Sequence, residues 1–375
     1  MDLHQTEPYR NTHTRRVKSL NLFSARYNVN LWQFQNNPKM KIKLPIAPHS
    51  LAIGMLNAWG FLSLLVPNAA NAFQQQAGSP QPAVAQNAAG TESKKLLRSS
   101  SHRIHNSTPL QAKCRMTVSL FGEEVVAEGR YWQMGQGSGS ARMDLSISTA
   151  SIDAGDSVAQ QAVKMQQVCH RGFYYRLQNN GQEPDLQIAD LNRISDTDNQ
   201  LLFASQNAWL SMGGLSSLID SLKTNFDFDA PVNSRLGKTE AWKLSGKWKE
   251  NRLVRLLNGQ IQHSVIGNGI KWQQLPPQVP HTCEILMGAD DYFPLFPYRI
   301  SFFRQELEGE RPVKKRILKI EFFELQQNAK LSNAIFEMNF DGIRPNDLTS
   351  EMVQRVKALQ NLQRAAKLKQ QNSTR

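Results

Sequence analysis

The residues that usually carry chemistry are scarce in this sequence or stand in the wrong company. Three cysteines in 375 residues, Cys114, Cys169 and Cys283, form no CxxC pair and no disulfide scaffold. The odd count leaves at least one thiol free. Half-buried structural cysteines are expected, with a single Cys114–Cys169 bridge between neighbouring strands as the alternative. His102 and His105 make an HxxH pair with no further ligand nearby, whereas a zinc site needs three or four. "DTDN" at 196–199 lacks the glycine and the terminal glutamate of a calcium loop. "GQGSGS" at 135–140 is neither a dinucleotide fingerprint, a P-loop nor a GxSxG elbow, and reads as a glycine-rich turn. Asp290-Asp291 is an adjacent pair at a strand end, where neighbouring side chains diverge, which is poor geometry for acid–base work. No nucleophile–base pair emerges. The sequence therefore points away from an enzyme, with no catalytic residues, no metal site and no cofactor expected.

One-sided charge is also weak over most of the chain. The net charge is +13, but eight basic and two acidic residues fall within 1–72, leaving +7 on the remainder. Basic residues are not interleaved with aromatics, so no nucleic-acid partner is expected. A basic surface of this size is also compatible with anionic lipid headgroups. There is no internal repeat.

A single long apolar run is present. Met40 is followed by Lys41 and Lys43, then Leu51–Val66, then Ala70-Asn71-Ala72. A basic start, an apolar middle and small residues at a cleavage position are the three parts of a secretory signal peptide over 40–72. Residues 1–39 are polar and aperiodic, which suggests that translation starts at Met40. The first cysteine lies at 114, so no lipid-modified cysteine follows the cleavage site. The expected product is a soluble periplasmic or otherwise extracytoplasmic protein, cleaved near Ala72. Residues 73–90, rich in Gln, Ala and Pro, read as a flexible tether. A short helix is expected in "TESKKLLRSSSHRIH", capped by Thr91 or Ser93.

From Lys113 the hydrophobic period becomes two. "RMTVSLFG" and "EVVAEGRYWQM" form an opening hairpin, "ARMDLSIST" points Met143, Leu145 and Ile147 inward, and a further hairpin turns at Arg171-Gly172. "QNAWLSMGGLSSLIDSLKTNF" is helical, with Leu215, Leu218, Ile219 and Leu222 as its apolar stripe. "EAWKLSGKWK" alternates Trp242, Leu244 and Trp248 against a row of lysines that keeps the outer face wet. "ILKIEFFELQQNAKLSNAIFEMNF" at 317–340 reads as a closing hairpin. Leu318, Ile320 and Phe322 lie on one side of its first strand, and Phe336, Met338 and Phe340 on one side of its second. Residues 351–375 read as a basic amphipathic helix. One antiparallel sheet this long must curl or fold on itself.

The order of these elements over about residues 91–350 resembles the LolA-like family of periplasmic outer-membrane lipoprotein carriers. Four stretches carry the resemblance: "CRMTVSLFGEEVVAEGRYWQMG", "GGLSSLIDSLKTNFDFDAPVNSRLGKTEAWKLSGKWK", "LPPQVPHTCEILMGADDYFPLFPYRISFFRQ" and "IEFFELQQNAKLSNAIFEMNFDGIRPNDLT". The resemblance implies an α+β fold, mainly antiparallel, in which a curved incomplete barrel is covered by helices on its concave face. It further implies an apolar cavity for acyl chains. Its wall would be Met143, Leu145, Ile147, Trp242, Leu244, Ile300, Phe302, Ile320, Phe322, Phe336 and Met338, and its lid Leu215, Leu218, Ile219 and Leu222. The arginine that holds such a lid closed has only Arg115 and Arg130 as candidates. The implied partner is a lipid or an acylated lipoprotein, and the C-terminal helix suits contact with an anionic membrane surface. The alternative is a structural or interaction domain on the same fold with its interior filled by its own side chains. The sequence leaves the oligomeric state open.

Overall fold

Alternating apolar and polar residues favour strands, and the chain has enough of them to build a sheet without a partner sheet. In the computed structural model the described residues are 86–120, 123–147, 163–179, 183–195, 214–256, 275, 279–308, 311–354, 357 and 361. The upstream stretch, the expected signal peptide, most of the expected tether, the "DTDN" segment and most of the expected C-terminal helix lie outside them. Among the described residues no helix is long and apolar enough to cross a membrane.

Helix α1 (Gln86–Asn106) leads into β1 (Leu110–Leu120), β2 (Glu123–Gln133), β3 (Ala141–Ile147), β4 (Val163–His170), β5 (Phe173–Asn179) and β6 (Asp185–Asp190). Helix α2 (Gly214–Asn225) is followed by β7 (Phe226–Phe228), β8 (Val232–Leu236), β9 (Thr239–Trp248), β10 (Thr282–Gly288), β11 (Pro297–Glu308), β12 (Arg311–Gln327) and β13 (Asn346–Asp347). All belong to one sheet in the order β13-β6-β5-β4-β3-β2-β1-β12-β11-β10-β9-β7, with β8 also on β9. Every pairing is antiparallel except that of β13 with β6. The two ends do not meet, so the sheet is curved but not closed, as the strand pattern implied. Its end strands are short, which limits the unpaired backbone it presents.

The β4–β5 hairpin turns at Arg171 and Gly172, both at positive φ (51° and 81°), as a tight two-residue hairpin requires. The expected tether and helix cap are corrected: the helix already runs from Gln86, so Thr91 and Ser93 lie inside it. Ser93 is buried, and its hydroxyl donates to the Asp229 carbonyl on the segment after β7. The cysteines follow the expected structural reading and not its alternative, a Cys114–Cys169 bridge. All three cysteines are buried free thiols. Cys114 and Cys169 stand three strand steps apart on β1 and β4, roughly 14 Å, beyond disulfide reach.

The closing hairpin is the main correction. Residues 317–327 are the expected strand, but Asn333–Phe336 is a 3-10 turn and 337–340 pair with nothing regular. The physical reason is that β12 has no free edge: β1 occupies one side and β11 the other. The returning chain therefore crosses the convex face of β3–β5. Arg142 Nη1 donates to the Ile335 carbonyl at 2.8 Å, the Phe336 ring stacks on His170 at 6.0 Å, and Phe340 stacks on Tyr175 at 5.7 Å. Phe336 and Met338 therefore belong to a segment outside the concave wall. Phe336 is 1% exposed.

Phe336→Ala should lower stability by about 3–5 kcal/mol in urea unfolding and leave the concave face unchanged. The thiols provide a second check. Desolvation pushes Cys114 up to about 12 and Cys283 well above its ordinary value. An acid whose folded pKa is raised holds its proton longer in the folded chain than in the unfolded one. This term is flat at neutral pH, and stability falls as pH rises past about 9. The urea midpoint should drop between pH 8.5 and 10.5, and alkylation of native protein at pH 8 should modify none of the three thiols.

Candidate functional site

Strand register decides which side chains share the concave face. Cys114 pairs with Gly129 and with Phe322, and Met116 with Ile320. Ile300 lies opposite Ile320 and Ile285, and Ile285 opposite Leu244. On the other side Gly129 pairs with Leu145 and Tyr131 with Met143. The register thus brings Met143, Leu145, Ile147, Leu244, Ile300, Phe302, Ile320 and Phe322 together in one buried apolar cluster, with Trp242 half-buried at its rim. Leu215, Leu218, Ile219 and Leu222 of α2 belong to the same cluster and are at most 1% exposed. Leu97 and Ile104 of α1 join them, so both helices lie on the concave face.

Polar contacts at their ends hold these helices in place. Tyr131 is fully buried on β2. Its hydroxyl accepts a hydrogen bond from Leu215 N–H at the start of α2 (2.9 Å) and donates to Gln133 Oε1 (2.6 Å). Gln133 Nε2 in turn donates to the Ile104 carbonyl near the end of α1 (3.3 Å). The approach is close enough to require glycine. Gly214 has φ +71°, and a Cβ there would stand 2.5 Å from the Tyr131 hydroxyl oxygen. Desolvation raises the Tyr131 phenol far above its ordinary range, so it remains a neutral donor and acceptor.

At the other end of α2, Lys249 Nζ donates to the Lys223 and Thr224 carbonyls at 3.2 and 2.6 Å, a cation on the negative end of the helix. Burial lowers its pKa. Between the helices Ser101 donates to Asp220 Oδ2 at 2.7 Å, and Ser100 donates to the Leu295 carbonyl at 2.7 Å. The "GQGSGS" turn caps α1: Gln136 N–H donates to the Ser107 carbonyl and Gly137 N–H to that of His105.

The candidate lid arginines are corrected by this geometry. Arg115 pairs with Glu128 at 2.6 Å on the convex face, and Arg130 is exposed on the same side. An arginine does act on the concave face, but it is Arg304, whose Nη2 donates to the Leu275 carbonyl at 2.6 Å. Burial lowers its pKa. Sequence reading missed Tyr131, Lys249 and Arg304 because each acts on main-chain groups distant along the chain. The stripe Ser93, Leu97, Ser100, Ser101, Ile104 at helical spacing was the one available signal for a helix face that is small, polar and buried.

Lys319 and Arg299 bracket Glu321 on the convex face at 2.8 Å each, and Lys243 and Lys314 bracket Glu284. A groove of about 310 Å³ opens there, lined by Arg235, Lys243, Glu284, Arg299 and Arg316 among others. Asp290 Oδ1 accepts from Tyr292 and Phe293 N–H, which makes it a turn residue. Among the described residues no group of three His, Cys, Asp or Glu side chains could hold a metal ion.

Tyr131→Phe removes the acceptor of Leu215 N–H and leaves Gln133 short of a donor. It should destabilise the protein by about 1–3 kcal/mol. Amide exchange at the start of α2 should accelerate more than exchange in β10 and β11.

No family model matches the sequence, and no curated protein matches it. Solved structures similar to this chain include MucB, at 12% identity and a TM-score of 0.33, over 66% of this chain and 63% of that one. They also include a putative outer-membrane lipoprotein-sorting protein domain from Vibrio parahaemolyticus, at 7% identity and a TM-score of 0.30, over 65% of this chain and 95% of that one. A LolA-superfamily protein from Nitrosomonas europaea is similar at 9% identity and a TM-score of 0.26, over 65% of this chain and 97% of that one. The matched part spans less than two thirds of MucB. No residue role is carried over from proteins this distant.

Proposed function

We propose that this protein is an exported carrier that binds an acyl chain or another apolar ligand between the concave sheet face and helices α1 and α2, catalysing no chemistry. The observation that carries the reading is the make-up of the two surfaces. The wall is apolar and continuous from β9 through β3, while polar contacts near the helix ends hold its cover. A cover attached in this way can lift without unpairing a strand. Each CH₂ moved from water into such a site contributes about 0.8 kcal/mol, so affinity comes from apolar area and few polar handles are needed. The signal-peptide pattern, with cleavage near Ala72, supports an extracytoplasmic site of action, where the cargo would be a lipid or an acylated lipoprotein. The basic groove on the convex face and the basic C-terminal segment suit contact with an anionic membrane surface.

One observation favours a second reading, a structural or interaction domain whose own side chains fill the concavity. Leu215, Ile219, Leu244 and Ile300 are all 0% exposed. The two readings differ in whether the cover lifts. Native mass spectrometry of the chain purified from an exporting host, followed by organic extraction, separates them. The carrier reading expects about one lipid or acylated peptide per chain, and loss of fluorescent fatty-acid uptake in folded Phe322→Glu or Leu145→Glu variants. A clean apo mass with no uptake by the wild type would leave the interaction domain standing.

A further inference from the structure

The concave face changes character between β3 and β5. Met143 on β3 lies opposite Gln167 on β4, Gln167 opposite Arg176 on β5, and Arg176 opposite Gln187 on β6. Residues opposite one another in these antiparallel pairs share a face, so this row continues the apolar wall into polar side chains. Gln167, Arg176 and Gln178 are nonetheless 5–6% exposed. The convex face of the same strands is covered as well. Val168 and Leu186 are buried there, and the segment carrying Phe336 and Phe340 packs against His170 and Tyr175. On the concave face of β4–β6 this polar row is therefore buried beside apolar neighbours, Val163, Met165, Cys169 and Ala189.

Arg176 is short of partners. The carboxylate facing it, Asp185 on β6, stands 4.0 Å from its Nη2, with half of the Asp185 side chain exposed. Its Nε is buried and has no hydrogen-bond acceptor among the described residues. The contrast with Arg304 is direct, since that guanidinium donates to two main-chain carbonyls. A guanidinium held away from water costs free energy unless its donors are met, and its planar fork fits a carboxylate or a phosphate. Arg176 lies two strand steps from Met143, roughly 10 Å, which is the reach of the head of an amphiphile whose tail lies on the apolar wall.

We infer that Arg176 is the anion-binding end of the concave face and holds the carboxylate or phosphate head of a ligand whose acyl chain lies against Met143 and Leu145. This rests on the carrier reading above and adds the polarity of the ligand and the direction in which it lies.

The test is titration of the full chain with dodecanoate, dodecanol and inorganic phosphate separately, followed by the same titrations of Arg176→Gln and Arg176→Lys. Wild type should bind dodecanoate at least about tenfold more tightly than dodecanol, the ratio that one charge-assisted hydrogen bond supplies. Arg176→Gln should remove that preference while leaving dodecanol affinity unchanged, and Arg176→Lys should restore part of it. Equal wild-type affinity for dodecanoate and dodecanol would overturn the assignment even if Arg176→Gln failed to fold. Equal loss of both ligands in a folded Arg176→Gln would overturn it as well. Inorganic phosphate binding as tightly as dodecanoate would mean a free-anion site and would overturn the amphiphile. Dodecanol bound without preference leaves the carrier reading intact, whereas wild type binding neither dodecanoate nor dodecanol removes both.

Discussion

A tyrosine hydroxyl sealed from water must find partners inside the protein, and the placement of the helices follows from where Tyr131 finds them. It accepts from the first turn of α2 and donates to Gln133, which reaches the last turn of α1. The same ring meets Phe322 edge-on at 5.5 Å, so the helix anchor and the apolar wall share a residue. Gly214 is required because no side chain fits between the hydroxyl and the helix start. Lys249 at the far end completes the attachment of α2 without adding apolar contact. The helices on the concave face are thus located by a few directional bonds and stabilised by the non-directional burial of leucines beneath them.

That division of labour bears on how a ligand could enter. Detaching α2 would break its end contacts and expose Leu215, Leu218, Ile219 and Leu222, whereas unpairing β1 from β12 would open a long ladder. The polar row at Gln167, Arg176 and Gln187 extends the same face past the apolar wall. The segment around Phe336 covers the convex side of those strands, so their apolar residues are buried there. A second, smaller core on the convex face follows from a single chain segment that had no strand edge left to join.

Most strands were legible because their alternation is local: β1, β2, β3, β9, β11 and β12 lie where they were expected, and so does the turn at Arg171-Gly172. The leucine stripe of α2 was legible for the same reason, through its 3.6-residue period. What failed was the second half of the closing hairpin. Residues 334–340 have a strand's period but no strand's partner, and pairing is a property of the sheet. The two lid-arginine candidates failed because only register reveals that Arg115 and Arg130 point to the convex side.

By itself the sequence determined the period of each segment, the scarcity of catalytic groups and the export pattern before Ala72. These depend on neighbours a few residues away. The tertiary structure alone decided what covers each face of β4–β6, which arginine is short of partners and which residues hold the helices. Period two divides a strand into two faces without saying which one meets the interior. That choice is made by strand register and by distant segments, as far apart as Arg142 and Ile335.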